Sequence, residues 1–237
     1  GLTQTHQNNM GAYGGPDIIT DGLVFAVDAG SERSYPGSGT TTTSLVGSDT
    51  GTLTNGVAFS TDNGGTWDFD GTDDYILFDS SIGSTTTVSV EMWCEIPSSY
   101  SNKMFMGWSG YDVWCREGTL GYNTNNGDVY GISAATVSSL GLVNNWKHYI
   151  FEMRSDVSYT NNRIYINGVS QTLSQQNASE SAGNRNFNGG VGQFPGYRSS
   201  PTSYVMALKV GSFRLYNRAL TAAEILQNYN AQKNRFI

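Results

Sequence analysis

Glu91 and Glu95, in VSVEMWCEI (88–96), come closest to a catalytic pair in this 237-residue chain. The period-two alternation of that run marks a half-buried strand, so Glu91, Trp93 and Glu95 share one face while Val90, Met92 and Cys94 share the other. Glycoside cleavage needs two carboxyl groups about 5–10 Å apart. Same-face residues four apart along a strand lie about 13 Å apart, at ~3.3 Å per residue, which is too wide. The only histidines are His6 and His148. A zinc centre needs more ligands than these, and a Ser or Cys triad would rest on His148 alone, at a strand position in WKHYIF. Neither G-x-x-x-x-G-K-[ST] nor G-x-G-x-x-G occurs, so there is no phosphate cradle. The expectation is a protein without catalytic activity.

Two further groups could hold something. WDFDGTDDYILF brings together Asp68, Asp70, Asp73 and Asp74, oxygen donors that suit Ca²⁺. The spacing is not that of an EF-hand: Gly71 is misplaced, and Asp79 stands where a bidentate Glu is required. Asp and Gly also build tight turns, so a turn is the preferred reading. No metal or cofactor is expected, with Ca²⁺ as the alternative. The second group is aromatic. GWSGYDVWCREGTLGYNTNNGDVYG (107–131) sets Trp108, Tyr111, Trp114, Tyr122 and Tyr130 among Asn and Asp, and FPGYRSS (194–200) forms a smaller zone. Aromatic faces stack on the C–H surface of sugars while neighbouring amides and hydroxyls bind the ring oxygens. These five rings are the candidate glycan-stacking residues, although alternation sends about half of them inward.

The elements that must position these residues read as strands. DGLVFAVDAG (21–30) opens the series, and SYPGSGTTTTSLVGSDTG (34–51) is dense in breakers. TLTNGVAF turns at Asn55-Gly56, and WDFD and DYILF flank Gly71. The runs 88–96, 103–108, 111–117, 127–133, 146–154, 163–173 and 204–216 follow. Asn167-Gly168 between two β-prone runs is a strong hairpin signal. Residues 174–203 read as a long polar loop. One helix is signalled near the end, in ALTAAEILQNYNAQ: Thr221 and Glu224 form a capping box, with Leu220 and Ile225 as a hydrophobic staple. Ile225, Leu226 and Tyr229 are expected to share its buried face. Strands with turn chemistry between them, and no βαβ alternation, predict an all-β antiparallel two-sheet sandwich with one short C-terminal helix.

Composition sets the outer limits. A net charge of −7 with no Lys/Arg cluster excludes a phosphate-backbone partner, so no nucleic acid is expected. No stretch approaches the ~20 apolar residues of a membrane-spanning helix. Cys94 and Cys115 are expected to be free thiols, Cys94 facing the core. Residues 1–20 read as a polar N-terminal arm and 21–237 as a single domain. Met10, Tyr13, Ile18 and Ile19 are the arm's candidate partner-binding anchors.

Taken in order, DGLVFAVDAG, SYPGSGTT, GTLTNG, FDGTDDYI, WKHYIFEM, RIYINGV and RLYNRALTAAEI resemble concanavalin A-like, laminin-G-type jelly rolls over roughly residues 20–232. FDG-x-DDYI and LYNRAL-T-AAEI are the more specific of these. The opening block and NYNAQKNRF look most like the variants carried by structural proteins of tailed bacteriophages. That resemblance implies a jelly-roll sandwich on a virion surface, assembled in the host cytoplasm, as capsid decoration or as a tail component. Its partners would be other virion proteins and, for adhesion, host cell-surface glycans; self-association as a homo-oligomer is compatible with it. A free carbohydrate-binding lectin is the alternative. A glycoside hydrolase ranks third, because the related enzymes carry E-x-D-x-x-E on one strand and Trp93 stands here where the second acid belongs.

Overall fold

The computed structural model describes residues 15–80, 82–125, 128–155, 157–177, 187 and 191–237. Among the described residues, seventeen strands form two antiparallel sheets. The eight-stranded sheet runs Val169–Ser170, Arg163–Ile166, Trp146–Arg154, Thr87–Glu95, Lys209–Tyr216, Thr66–Asp68, Ala58–Ser60, and Leu23–Asp28 also pairs with Lys209–Tyr216. The nine-stranded sheet runs Ser174–Asn177, Asp128–Ile132, Leu120–Asn125, Asp112–Cys115, Lys103–Gly107, Val191–Phe194, Tyr75–Asp79, Thr50–Thr54, Thr41–Thr43. The sandwich expected from the sequence is therefore the fold.

Alternation explains why the sheets face each other. In Thr87–Glu95 the inward set Val88, Val90, Met92 and Cys94 joins the main core, together with Tyr149, Phe151 and Met153 from Trp146–Arg154. Phe25, Phe78, Phe194 and Phe213, one from each of four strands, interlock at the centre; the Phe194 and Phe213 rings stack at 4.4 Å. Burying each such side chain contributes roughly 1.5–3 kcal/mol. Cys94 and Cys115 are free, fully buried thiols.

The local signals differ in what they produced. Asn167-Gly168 makes a two-residue hairpin turn with φ of 51° and 80°, the doubly positive geometry of a type I′ turn, between strands paired at Ile166↔Val169. Asn55-Gly56 is a turn but not a hairpin. It carries the chain from Thr50–Thr54 in one sheet to Ala58–Ser60 in the other, and the acidic turn at 70–74 carries it back. The stretch 174–203 is not all loop, since Val191–Phe194 lies inside the nine-stranded sheet between Lys103–Gly107 and Tyr75–Asp79. Leu120–Asn125 is a strand, and Ala134–Ser139 a one-turn helix capped by Ser133.

The C-terminal helix, Ala222–Phe236, has the reciprocal Thr221–Glu224 capping box. Leu220 and Ile225 are buried together with Ile150 and Tyr216. Leu226, expected on the buried face, is exposed instead; the face that lies on the sheet carries Ile225, Asn228, Ala231, Arg235 and Phe236. A helix resting on charged strand residues turns amides and an arginine inward, and an apolar-periodicity reading misses them.

Candidate functional site

The outward residues of Thr87–Glu95 meet that helix. Trp93 stacks between Phe236, at 4.7 Å, and Tyr229, at 5.8 Å, and is fully buried. Glu91 is likewise fully buried. Its cross-strand neighbour Arg214 donates from Nη1 to Glu91 Oε1 at 2.7 Å, and Asn228 of the helix donates to Oε2 at 2.7 Å. His148 Nε2 lies 3.2 Å from Oε1. Burial alone would push the Glu91 carboxyl up, but Arg214, His148 and Asn228 together outweigh it and hold it at about 2. Glu95 contacts Lys209 at 3.5 Å. The two glutamates of the sequence reading thus share a face, as expected, and Glu91 is fully buried in an ion-paired layer.

The arm's end belongs to the same layer. Ile19 packs against the Tyr216–Leu220–Ile225 cluster; its N–H donates to Asn228 Oδ1 at 2.9 Å, and its carbonyl accepts from the Tyr216 hydroxyl at 3.1 Å. These contacts of Ile19, one of the arm's candidate anchors, are made within its own chain. Ile18 is half-buried beside it, and Met10 and Tyr13 lie outside the described residues.

The five candidate stacking rings separate by strand phase. Trp108, Tyr111 and Tyr122 point between the sheets and are at most 1% exposed. Trp108 packs on Phe78 and Phe187, and Tyr111 on Tyr122 and Phe187. The Tyr122 hydroxyl donates to the carbonyls of Glu152 and Arg163. With both faces covered, these three offer no stacking surface, a correction that follows from their inward phase. Tyr130, half-buried, contacts Tyr159 at 5.1 Å. Of the five, only Trp114 points to the outer face of the nine-stranded sheet, where it is 8% exposed in a small buried cluster, because Val113 and Cys115 take the inward positions of Asp112–Cys115.

That outer face of the nine-stranded sheet is the candidate site. Trp114 packs with Met104 and Val129, and Tyr197 borders them. Tyr204 lies over Trp114 at 4.8 Å between ring centroids and is 45% exposed; Tyr197 is 6.3 Å from Tyr204. Tyr204 has φ of 59°, the left-handed region that costs a residue with a Cβ of order 1 kcal/mol or more. The loop that presents these tyrosines is stitched down. Met104 N–H donates to the Tyr204 carbonyl at 2.8 Å, Gly196 N–H to the Met104 carbonyl at 3.1 Å, and the Gln193 amide to the carbonyls of Pro195 and Pro201. Gly107 lets the sheet and loop close, since a Cβ there would stand 2.6 Å from Asp112 Cβ and 2.7 Å from Tyr197 Cβ. Asp112, which accepts from Asn123 Nδ2 at 3.2 Å, supplies the polar border. Burial first, then the charge of Asp112, pushes the Tyr197 phenol up. Trp114 Nε1 has no hydrogen-bond partner among the described residues. FPGYRSS carried part of this signal; Tyr204, four residues beyond it, was missed because nothing local marks it.

The acidic group gathers as its spacing suggested: one ligand oxygen from each of Asp70, Asp73 and Asp74 lies within 4.8 Å of the others. Its hydrogen bonds are those of a turn. Asp70 Oδ1 accepts from Thr72 N–H at 2.7 Å, and Asp74 Oδ2 accepts from Asp70 N–H at 3.1 Å. Asp68 lies apart, accepting from Thr66 Oγ1.

Known proteins of this shape include the receptor-binding domain of botulinum neurotoxin D, with a TM-score of 0.61 and 15% identity over 90% of this chain and 53% of that one. The serotype D ligand-binding domain in complex with N-acetylneuraminic acid matches with a TM-score of 0.60 and 14% identity, over 90% of this chain and 52% of that one. The Trypanosoma rangeli sialidase in complex with sialic acid matches with a TM-score of 0.63 and 12% identity, over 92% of this chain and 34% of that one. The chain therefore spans about half of the toxin domains and a third of the sialidase. At these identities the likeness shows the fold. No curated protein matches the sequence. The family model described as the concanavalin A-like lectin/glucanases superfamily, in its third laminin-G form, matches residues 70–226. That span runs from the acidic turn to the first turns of the sealing helix and covers well over half of the chain, so this protein belongs to that family.

Proposed function

We propose that this domain is a non-catalytic glycan-binding module, and that the Trp114–Tyr197–Tyr204 surface holds the sugar. The carrying observation is Tyr204: an exposed aromatic ring, in a costly backbone conformation, fixed against an outward tryptophan by a hydrogen-bonded loop. Such strain persists only where its surroundings over-determine it, and it clusters at ligand sites. The ring supplies a stacking face, and Asp112 and Asn123 supply the polar border that orients a hydroxyl-rich ligand. Similar structures with sialic acid or N-acetylneuraminic acid in complex support the ligand class. The ion-paired burial of Glu91 supports a role without hydrolysis.

A glycan array with the wild-type chain and Tyr204→Gly tests this. The glycine relieves the left-handed conformation while deleting the ring, so binding is expected to fall at least about tenfold, ~1.4 kcal/mol, in a protein no less stable. Equal binding by the two overturns the assignment.

The setting we propose, the surface of a bacteriophage virion, rests on the sequence resemblance alone. Quantitative mass spectrometry of purified particles tests it. Copy numbers near those of the major capsid protein assign head decoration, and a few to a few tens assign the tail. Absence from particles overturns the setting and leaves a free lectin.

A further inference from the structure

A cavity of about 400 Å³ opens between the N-terminal segment and the C-terminal helix, on the outer side of the eight-stranded sheet and away from the aromatic surface. Its volume falls within the range of small-molecule sites, roughly 300–1,000 Å³. Arg214, only 5% exposed, lines it. Nη1 of that guanidinium is spent on Glu91; Nε and Nη2 have no partner among the described residues. These two nitrogens keep access to solvent through the cavity, so they are free to donate to a molecule held there.

The neighbouring charges define what that ligand is. Arg235 Nη1 grips both oxygens of Asp28, at 2.7 and 2.8 Å, and its remaining donors go to the carbonyls of Asn63 and Gly65. Asp28 also accepts from Gly30 N–H and from Gln232 Nε2. The formal charges of Arg214 with Glu91 and of Arg235 with Asp28 therefore cancel. An anionic ligand would add a net charge to this balanced, largely buried layer at a desolvation cost. A neutral one would not. Ser31 and the exposed Asp17 also line the cavity, and Ile18, Leu45 and Ala231 give it apolar surface. Donors, an acceptor and a C–H-compatible wall around such a volume match a hydroxylated ring.

We infer that this cavity is a second binding site, for a single neutral saccharide unit whose hydroxyl oxygens accept from Arg214. The site is independent of the Tyr204 surface. The rim is fixed from the helix side, because Gln227 donates to the Asp17 carbonyl and Asn228 accepts from Ile19 N–H.

The test is calorimetric titration of the full chain with glucose, galactose and N-acetylglucosamine, and with N-acetylneuraminic acid as the charged counterpart. Four proteins are compared: wild type, Tyr204→Gly, Ser31→Phe to plug the cavity, and Arg214→Lys. The lysine keeps a cation opposite Glu91 while removing the planar fork, and melting temperatures establish that each variant is folded. At least one neutral sugar is expected to bind in the millimolar range, and to be weakened at least about tenfold in both cavity variants. Three outcomes overturn the inference: no neutral sugar binds, the cavity variants bind it as the wild type does, or only the acidic sugar responds to them. A failed Tyr204 assignment leaves this readout intact, so the two proposals fail separately.

Discussion

On the eight-stranded sheet Trp93 points outward and is fully buried, because Tyr229 and Phe236 of the C-terminal helix stack on it; on the nine-stranded sheet Trp114 points outward and is covered chiefly by Tyr204, itself 45% exposed. Each tryptophan has a carboxylate on its own strand, Glu91 and Asp112. Glu91 is matched by Arg214 and Asn228, whereas Asp112 sits beside an amide and a phenol at the border of a surface loop. Around Glu91 and Trp93 the first face is covered by the chain's own helix. The other presents aromatic surface held in place by backbone hydrogen bonds. The same residue types thus serve stability on one side and, in our proposal, recognition on the other.

The sealed face should respond mainly in stability. Glu91→Ala removes one partner of a buried ion pair and strands Arg214, so a loss of about 3–5 kcal/mol is expected from denaturant midpoints. A change below ~1 kcal/mol, within the range of exposed pairs, would break the comparison. Trp93→Ala deletes a fully packed indole and should cost about as much, 3–5 kcal/mol, with sugar affinity per folded molecule unchanged.

Acid titration sharpens the same point. The folded Glu91 carboxyl is held at about 2, against an ordinary 4.5, so it stabilises the fold above the unfolded-state value. That contribution is lost as pH falls from about 4.5 to about 2. Glu224, whose carboxyl is held at about 2 by its hydrogen bonds from Arg218, adds to the same limb. Glu91→Gln should flatten the acid limb of the stability curve in that window; parallel curves for variant and wild type would contradict the ion-pair account.

Tyr204→Gly should behave in the opposite sense to Trp93→Ala. Stability is expected to stay level or rise by up to about 1 kcal/mol, since glycine accepts positive φ freely, and a chemical melt measures this directly. Thr221→Ala removes the helix N-cap and should cost ~1 kcal/mol. Because the helix seals the charged layer, hydrogen exchange near Glu91 should quicken with it.

Much of the frame was legible because it is written locally. The alternation in 87–95 and 146–154, the doubly positive Asn167-Gly168 turn and the Thr221–Glu224 box each declare their structure within a few residues. What was hidden depends on partners distant in sequence. Glu91 and Arg214 become cross-strand neighbours only through the pairing of Thr87–Glu95 with Lys209–Tyr216. Val191–Phe194, bracketed by glycine and proline, is a strand because Tyr75–Asp79 and Lys103–Gly107 receive it on either side. Trp108, Tyr111, Trp114 and Tyr122 look alike in sequence, and inward or outward phase decides among them. Tyr204 gains its meaning from a loop that folds back over Trp114. Composition marked the aromatic zone, but register chose the ring.

The most direct test of the central claim is a map of amide chemical-shift changes in the labelled chain, on titration with the strongest ligand from the glycan array. The account expects the largest changes at residues 112–114 and 197–204, with Asn123 moving alongside. A bound glycan that leaves those amides unmoved would contradict it.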